Sequence, residues 1–152
     1  MKKQPTKPKR LPPLLRECWN RLNSTFMKKV KKVGLTPDQY IVLRWVHEHP
    51  TGTVSQSKLA NLMSTDANNI ASLVRRMNGL GLIDRNKNPV DKRQNLISPT
   101  ENGTKLFKMG KKIAEKVEKD SLACFTDHEK DHFLCLLEQL TLKINKEADI
   151  DP

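Results

Sequence analysis

The sequence has little of what marks membrane proteins, disulfide scaffolds and common enzyme classes. Its longest unbroken apolar run is five residues, Phe133 to Leu137, whereas a membrane-spanning helix needs about 20. Three cysteines among 152 residues are too few, and odd in number, for a disulfide framework. Glycine-rich phosphate loops and the common hydrolase and metalloprotease motifs are absent from the sequence. These absences predict a protein that neither spans a membrane nor acts as an enzyme.

Positive charge is abundant, and it lies mostly at one end of the chain. The net charge is +11, so we expect polyanionic partners. Residues 1–34 carry 11 basic residues and 1 acidic residue, and 4 of the 9 prolines lie within the first 13 residues. This composition predicts a flexible basic arm over residues 1–10. Leu11-Pro12-Pro13 follows it in place of an apolar segment, so we expect no signal peptide. The few cysteines favour a location in a reducing cytoplasm.

Apolar residues recur at helical spacing through most of the chain, and capping motifs mark where helices begin. A first helix is predicted from Pro12 to Val33, ended by Gly34. Thr36, Thr53 and Thr126 each precede Gln or Glu by three residues, which predicts a capping box at each site. A long polar helix is predicted from Thr100 to about residue 122. The last helix is expected to bury its apolar residues, which are Phe133, Leu136, Leu137, Leu140 and Ile144.

Residues 53–98 follow the order helix, turn, helix and hairpin. Asp66 is a suitable N-cap for the second of these helices, which Gly79 and Gly81 end. The apolar period then changes, and residues 82–85 and 94–98 are predicted strands joined by a charged link. The sequence therefore predicts a mainly α fold with a small β-hairpin wing, a winged helix-turn-helix.

The second helix of this unit has one apolar face and one polar face that suits DNA. Asn68, Asn69 and Ser72 lie near its N-terminal turn, where a recognition helix contacts bases in the major groove. Asparagine in particular can bond to adenine N6 and N7. Arg75 and Arg76 lie further along the helix, and we expect them to contact phosphates, which position the protein without reading sequence.

The tip of the predicted wing is a second candidate contact with DNA. Lys87, Lys92 and Arg93 are expected to enter or flank the adjacent minor groove. The alternative is a winged helix that binds a partner protein through these same surfaces. Salt dependence separates the two hypotheses, because phosphate contacts lose affinity steeply between 50 and 200 mM salt.

Six short motifs lie between residues 35 and 103. They are Leu35-Thr36-x-x-Gln39-Tyr40, Leu59-Ala60, Asp66-x-x-x-Ile70, Gly79-Leu80-Gly81-Leu82-Ile83-x-Arg85, Asp91-Lys92-Arg93 and Thr100-x-x-Gly103. With these motifs, residues 35–103 resemble the MarR family of bacterial transcriptional regulators. Pro99 departs from the family pattern, which usually has leucine at that position, and this questions where the second wing strand ends.

The resemblance implies a homodimeric repressor that binds a pseudo-palindromic operator in a bacterial cytoplasm. Residues 35–103 would form the DNA-binding domain, and residues 11–34 and 104–147 would be the dimerisation helices. Asp91 would orient the wing arginine, and Arg93 would reach the minor groove. A small aromatic or phenolic acid would bind between the two subdomains and release the DNA.

Four aromatic residues are candidates to line such an effector pocket: Trp19, Phe26, Tyr40 and Trp45. The alternative is that they are ordinary core residues, as aromatic side chains in helical domains often are.

Cysteine and histidine side chains suggest two other sensing chemistries. Some family members sense peroxide through a cysteine in the first helix, which makes redox sensing through Cys18 an alternative function. Cys18 shares the apolar stripe of its helix, so we expect a buried, inert thiol. His128 and His132 are spaced i, i+4, but we interpret them as surface residues and predict neither a metal site nor a cofactor.

Overall fold

The computed structural model describes residues 10–49 and 51–148, and of residues 146–148 the backbone alone. The predicted basic arm therefore lies, except for Arg10, outside the described residues. The helices are α1 (Leu11–Val30), α2 (Pro37–Glu48), α3 (Gln56–Leu62), α4 (Ala67–Gly79), α5 (Glu101–Leu122) and α6 (Asp127–Ala148). The strands are β1 (Val54–Ser55), β2 (Ile83–Lys87) and β3 (Asn95–Pro99). Among the helices described, none is long and apolar enough to cross a membrane.

The chain divides into two compact units, Met1–Glu115 and Lys116–Pro152. The first contains α1 to α4, the three strands and most of α5, and the second contains the end of α5 and α6. The mainly α fold with a β-hairpin wing is confirmed.

Two of the three predicted capping boxes are confirmed. At the start of α2, the Gln39 backbone N–H donates to Thr36 Oγ1 at 3.3 Å, and the Thr36 N–H donates to Gln39 Oε1 at 2.8 Å. At the start of α6, the Glu129 N–H donates to Thr126 Oγ1 at 3.3 Å, and the Thr126 N–H donates to Glu129 Oε2 at 2.9 Å. Each box satisfies two backbone donors that a helix start leaves open.

The third box, predicted at Thr53, is wrong because the chain is extended there. Val54 pairs with Ile97 as part of β1. The helix begins later, where Ser55 Oγ accepts a hydrogen bond from the Lys58 N–H at 3.2 Å. The two-residue strand β1 was too short to be visible as an alternating pattern.

The sheet has three antiparallel strands in the order β1-β3-β2. The predicted hairpin of β2 and β3 is confirmed, and β1 adds a third strand on the other side of β3. Pro99 pairs with Ile83, so the second wing strand does run to Pro99. The sheet thus connects the start of the helix-turn-helix to the base of the wing.

One apolar core holds α2, α4 and the sheet together. Residues that are at most 1% exposed come from all three: Val42, Leu43 and Val46 from α2, Ile70, Val74 and Met77 from α4, and Val54, Ile83 and Ile97 from the strands. Burying each such side chain is worth about 1.5–3 kcal/mol. This shared core fixes α4 to the wing.

The start of α5 is joined closely to the base of the wing. The Thr100 N–H donates to the Leu82 carbonyl at 3.2 Å, and its hydroxyl donates to the Gly81 carbonyl at 2.6 Å. Thr100 Oγ1 also accepts from the Gly103 N–H at 2.9 Å, which caps the helix. A Cβ on Gly103 would meet the Leu82 carbonyl group, so glycine permits this close approach.

The predicted burial of the α6 apolar residues is wrong for the single chain. Leu136 and Ile144 are each 51% exposed, and Phe133 is exposed as well, while Leu137 and Leu140 are half-buried. Periodicity predicts which residues share a helix face, but it does not reveal whether the same chain covers that face. In the other unit, α1 also exposes large apolar residues, which are Leu11, Leu14, Leu15 and Trp19.

Candidate nucleic-acid interface

Helix α4 has the two faces that the sequence predicts. Its apolar residues Ile70, Leu73, Val74 and Met77 are buried in the core. On the other face Asn68, Asn69, Arg75 and Arg76 are exposed, and Ser72 is half-buried. The polar groups therefore lie on a surface that is open to a ligand, with the amides at the N-terminal end and the guanidinium groups further along.

The N-terminal turn of α4 is held by Asp66. Its Oδ1 accepts from the Asn69 backbone N–H at 2.9 Å, which confirms the predicted cap. Its Oδ2 accepts from the side-chain Nδ2 of Asn69 at 2.5 Å. The side chain of Asn68, by contrast, has no hydrogen-bond partner among the described residues. The side-chain amide of Asn69 is therefore already hydrogen-bonded before any DNA binds, whereas that of Asn68 has no such bond to the described part of the chain.

The turn between α3 and α4 contains the one non-glycine residue with positive φ in the described part of the chain, Ser64 at 48°. The Ser64 N–H donates to the Asn61 carbonyl at 3.1 Å, and the Thr65 N–H donates to the Ala60 carbonyl at 3.0 Å. These bonds satisfy the end of α3 and set the direction in which α4 leaves the turn.

The wing tip is organised by backbone hydrogen bonds and by Asp91. The Asn88 N–H donates to the Gln94 carbonyl at 3.0 Å, and the Gln94 N–H donates to the Asp91 carbonyl at 3.0 Å. Asp91 Oδ1 accepts from the Arg93 backbone N–H at 3.0 Å. The Asp91 carboxylate thus fixes the backbone conformation of Arg93. That conformation determines the direction in which the Arg93 side chain leaves the turn. The basic side chains of the tip, Lys87, Lys92 and Arg93, are exposed.

Two further basic residues of the same unit were missed as candidates. Lys58 is exposed on α3, the first helix of a helix-turn-helix, which usually crosses the DNA backbone. Its Nζ lies 3.1 Å from His49 Nε2. Arg85 is exposed on β2. Lys58 belongs to none of the sequence motifs, whereas Arg85 lies within the motif that begins at Gly79, which predicts only a strand there.

The four candidate effector residues do not form one continuous aromatic cluster. Phe26 and Tyr40 contact edge to face, with ring centroids 5.1 Å apart. Trp45 is half-buried, and the Arg44 guanidinium carbon lies 4.8 Å from its ring centroid. Trp19 is 59% exposed on α1 and makes no ring contact with the described residues.

Stacked rings extend from Tyr40 to the end of α2. Tyr40 stacks on Phe107 of α5 with centroids 5.8 Å apart, and Phe107 stacks on His47 at 4.3 Å. His47 Nδ1 lies 2.7 Å from the Leu43 carbonyl oxygen, and its Nε2 lies 3.2 Å from Thr104 Oγ1. These contacts fasten α2 to the first turns of α5. Phe107 was not among the predicted aromatic candidates.

The expectation of a buried Cys18 is wrong, since the structure exposes its thiol on α1. The stripe that it shares with Trp19 is not covered by the single chain. Elsewhere, His128 and His132 have ring centroids 6.4 Å apart. No group of three or more His, Cys, Asp or Glu residues within the described chain is arranged to hold a metal ion.

Comparison with known proteins decides the family. The family model described as MarR family matches residues 33–94. An uncharacterized HTH-type transcriptional regulator of Bacillus subtilis, YdcH, is 33% identical over 116 residues, which are 74% of this chain and 77% of that protein. The chain belongs to the MarR family. It is accordingly a DNA-binding transcriptional regulator and not an enzyme.

Solved structures show the same MarR fold. A MarR variant from Escherichia coli in complex with operator DNA is similar with a TM-score of 0.77 and 18% identity, over 84% of this chain and 91% of that one. Bordetella bronchiseptica BpsR, whose structure concerns regulation of DNA binding by 6-hydroxynicotinic acid, is similar with a TM-score of 0.79 and 19% identity, over 91% and 98%. The matched family segment contains all nine predicted DNA-binding residues, whose individual roles stay predictions.

Proposed function

We propose that this MarR-family chain is a homodimeric repressor that binds a pseudo-palindromic operator in a bacterial cytoplasm and releases it when a small aromatic acid binds. The observation that carries the proposal is the exposed polar face of α4, with Asn68 unpartnered at its N-terminal turn and Arg75 and Arg76 beyond it. The shared core holds this face firmly, which lets it present the same groups to every operator.

The wing supplies the second contact in this proposal. Lys87, Lys92 and Arg93 are exposed around a tip whose conformation Asp91 stabilises. An arginine inserted into a narrow minor groove gains from the enhanced negative potential there. Wing contacts of this kind depend on groove shape, whereas Asn68 contacts depend on base identity.

A dimer would give the repressor two recognition helices, one for each half-site about 34–36 Å apart. The exposed apolar residues support this proposal in each unit separately. Helix α6 exposes Phe133, Leu136 and Ile144, and α1 exposes Leu15 and Trp19. Surfaces of this kind are typical of subunit contacts. Residues 11–34 and 104–147 are therefore the proposed dimerisation helices.

An aromatic acid is the proposed effector, and the surface at Arg44 and Trp45 of α2 suits it. Arg44 places a guanidinium group beside the half-buried indole of Trp45, while Tyr40, which packs edge to face against Phe26 of α1, is only 7% exposed. A carboxylate attached to a ring would meet both a cation and an aromatic surface there. Trp19 completes the proposed set only if it is brought toward these residues in the dimer. The solved BpsR structure, which concerns regulation of DNA binding by 6-hydroxynicotinic acid, is consistent with this ligand class.

The test is a fluorescence-anisotropy titration with the DNA upstream of the protein's own reading frame, at 50 and 200 mM salt, against a scrambled duplex. We expect tight binding of the upstream DNA alone and a steep loss of affinity at the higher salt. Asn68→Ala should weaken specific binding by about 1–3 kcal/mol and leave the scrambled duplex unaffected. Equal affinity for both duplexes would contradict the proposal and favour a protein-binding winged helix instead.

Thiol-based redox sensing is a second candidate function, because the Cys18 thiol is exposed. If it operates, hydrogen peroxide should release the parent protein from the operator but should not release Cys18→Ser. Equal release of both proteins, or of neither, would exclude Cys18 as the sensor.

A further inference from the structure

Hydrogen bonds at the N-terminal turn of α4 decide which base contacts Asn69 can make. Asp66 holds the residue twice, through the backbone N–H at 2.9 Å and through the side-chain Nδ2 at 2.5 Å. The same Nδ2 lies 3.3 Å from Thr65 Oγ1. One carboxylate therefore binds both the backbone and the side chain of a residue on the exposed recognition face.

These contacts use the whole donor capacity of the Asn69 side chain. A primary amide has two N–H donors and one acceptor oxygen. With the donors directed at Asp66 and Thr65, Oδ1 is the group left for an external partner. Electrostatics fixes this orientation, because an amide oxygen turned toward the Asp66 carboxylate would be repelled, whereas the N–H makes a charge-assisted bond.

The side-chain amide of Asn68, unlike that of Asn69, is not engaged by the described residues around it. Asn68 is exposed, and the described residues offer its side chain no hydrogen-bond partner, so its donors and its acceptor are all available. Reading adenine with both atoms requires an N–H directed at N7 and an oxygen that accepts from the N6 amino group. Asn68 meets this requirement, and Asn69 meets it only by giving up one of its two donor contacts, with Asp66 or with Thr65.

We propose that Asp66 sets the base preference of the recognition helix by acting through Asn69. Asn69 then recognises an exocyclic amino group, cytosine N4 or adenine N6, through Oδ1 alone, and Asn68 is the residue that reads adenine with both atoms. Asp66 is a positioning residue in this scheme, since it touches no base. The inference rests on the proposed function, because it requires α4 to lie in the major groove.

Asp66→Ser is the variant that separates this role from helix capping. Serine caps a helix about as well as aspartate, so α4 should still begin at the same place. Serine has no second oxygen for the Asn69 side chain, whose Nδ2 then keeps its contact with Thr65 and gains one free N–H. At the base that Asn69 contacts, the preference for adenine over cytosine should then rise about fivefold, which corresponds to one added hydrogen bond.

Loss of the Asp66 charge also raises affinity for every duplex, so the ratio between two bases is the readout. Asp84→Ser is the matched control, because Asp84 is an exposed carboxylate on β2 of the same unit. It should strengthen binding of all duplexes alike and leave the preference for adenine over cytosine unchanged.

The experiment uses the full chain and the operator duplex recovered from the upstream DNA. Single base-pair changes first locate the position whose effect disappears in Asn69→Ala. Adenine and 7-deazaadenine, which lacks N7, are then compared at that position. The parent should bind both equally, whereas Asp66→Ser should bind 7-deazaadenine about fivefold more weakly. The difference should disappear in the Asp66→Ser, Asn69→Ala double variant.

Two results would overturn the inference while the proposed function stands: sensitivity of the parent to 7-deazaadenine at the Asn69 position, or an Asn69→Ala variant with unaltered base preference. Unchanged behaviour of Asp66→Ser would also overturn it. Failure of the parent to distinguish operator from scrambled DNA is a separate result, which contradicts the proposed function and, with it, this inference.

Discussion

Replacing Gly103 by alanine should destabilise the protein through a single close approach. The added Cβ would lie 2.9 Å from the Leu82 carbonyl carbon and nearer still to its oxygen, whereas ordinary contact begins at 3.4 Å. The Leu82 oxygen sets the larger demand, so the first turn of α5 must move by about 1 Å or more from a backbone group that cannot rotate aside. That movement would stretch the Thr100 bonds to the Leu82 and Gly81 carbonyls.

The expected loss follows from these terms. Overpacking of this kind costs about 1–3 kcal/mol, and each weakened hydrogen bond adds up to about 1 kcal/mol. The better helix propensity of alanine offsets about 0.5–1 kcal/mol. We expect a net decrease of about 2–4 kcal/mol in the free energy of unfolding.

Urea denaturation followed by circular dichroism measures this difference, and the chain provides a matched control. Gly79 ends α4 with no atom within 4 Å of a built Cβ, so Gly79→Ala should be neutral or stabilise by up to about 1 kcal/mol. If Gly103→Ala were as stable as Gly79→Ala, the reasoning about the joint between α5 and the wing would be refuted.

Four other outcomes are expected. Ser64→Gly should raise the free energy of unfolding by up to about 1 kcal/mol, because glycine adopts positive φ without strain; a less stable variant in the same denaturation assay would be inconsistent with strain at this turn. Leu136→Glu should shift a dimer toward monomer in analytical ultracentrifugation, and an unchanged mass would count against α6 as part of the interface. Arg93→Ala should weaken binding and reduce the salt slope, which a titration over salt concentration measures; unaltered affinity and slope would mean that its guanidinium group does not reach the DNA. Hydrogen bonds from the Thr126 backbone N–H, and secondly from its hydroxyl, lower the pKa of Glu129 below its ordinary value of 4.5. The stabilisation of the α6 start is therefore present above pH 4.5 and is lost as pH falls through the lowered pKa. An NMR titration should show a higher Glu129 pKa in Thr126→Ala than in the parent.

Local chemistry made much of the fold predictable from the sequence. The capping boxes at Thr36 and Thr126 and the cap at Asp66 mark helix starts through hydrogen bonds within four residues, so they depend on little else. Gly81, at φ 65°, likewise ends the α4 segment by its own conformational freedom. The exposed face of α4 was predictable because the apolar face opposite it has to be buried.

Features that depend on distant or missing partners were not predictable. Val54 became a strand residue because Ile97, 43 positions away, pairs with it. The predictions that Leu136 and Cys18 are buried were wrong for a different reason, because periodicity identifies a helix face but not what covers it. The bond that ties the Asn69 amide to Asp66 also lay beyond sequence reasoning, because an N-cap can engage the backbone alone.

The two outer strands of the sheet bear on self-association. On one side β1 is only two residues long, and on the other side β2 places charge at Asp84, Arg85 and Lys87, three of its five positions. Short or charged edges are poor templates for the addition of a foreign strand. Molecules bound side by side on DNA would therefore meet without joining their sheets, so these edges protect the protein from edge-to-edge aggregation at high local concentration.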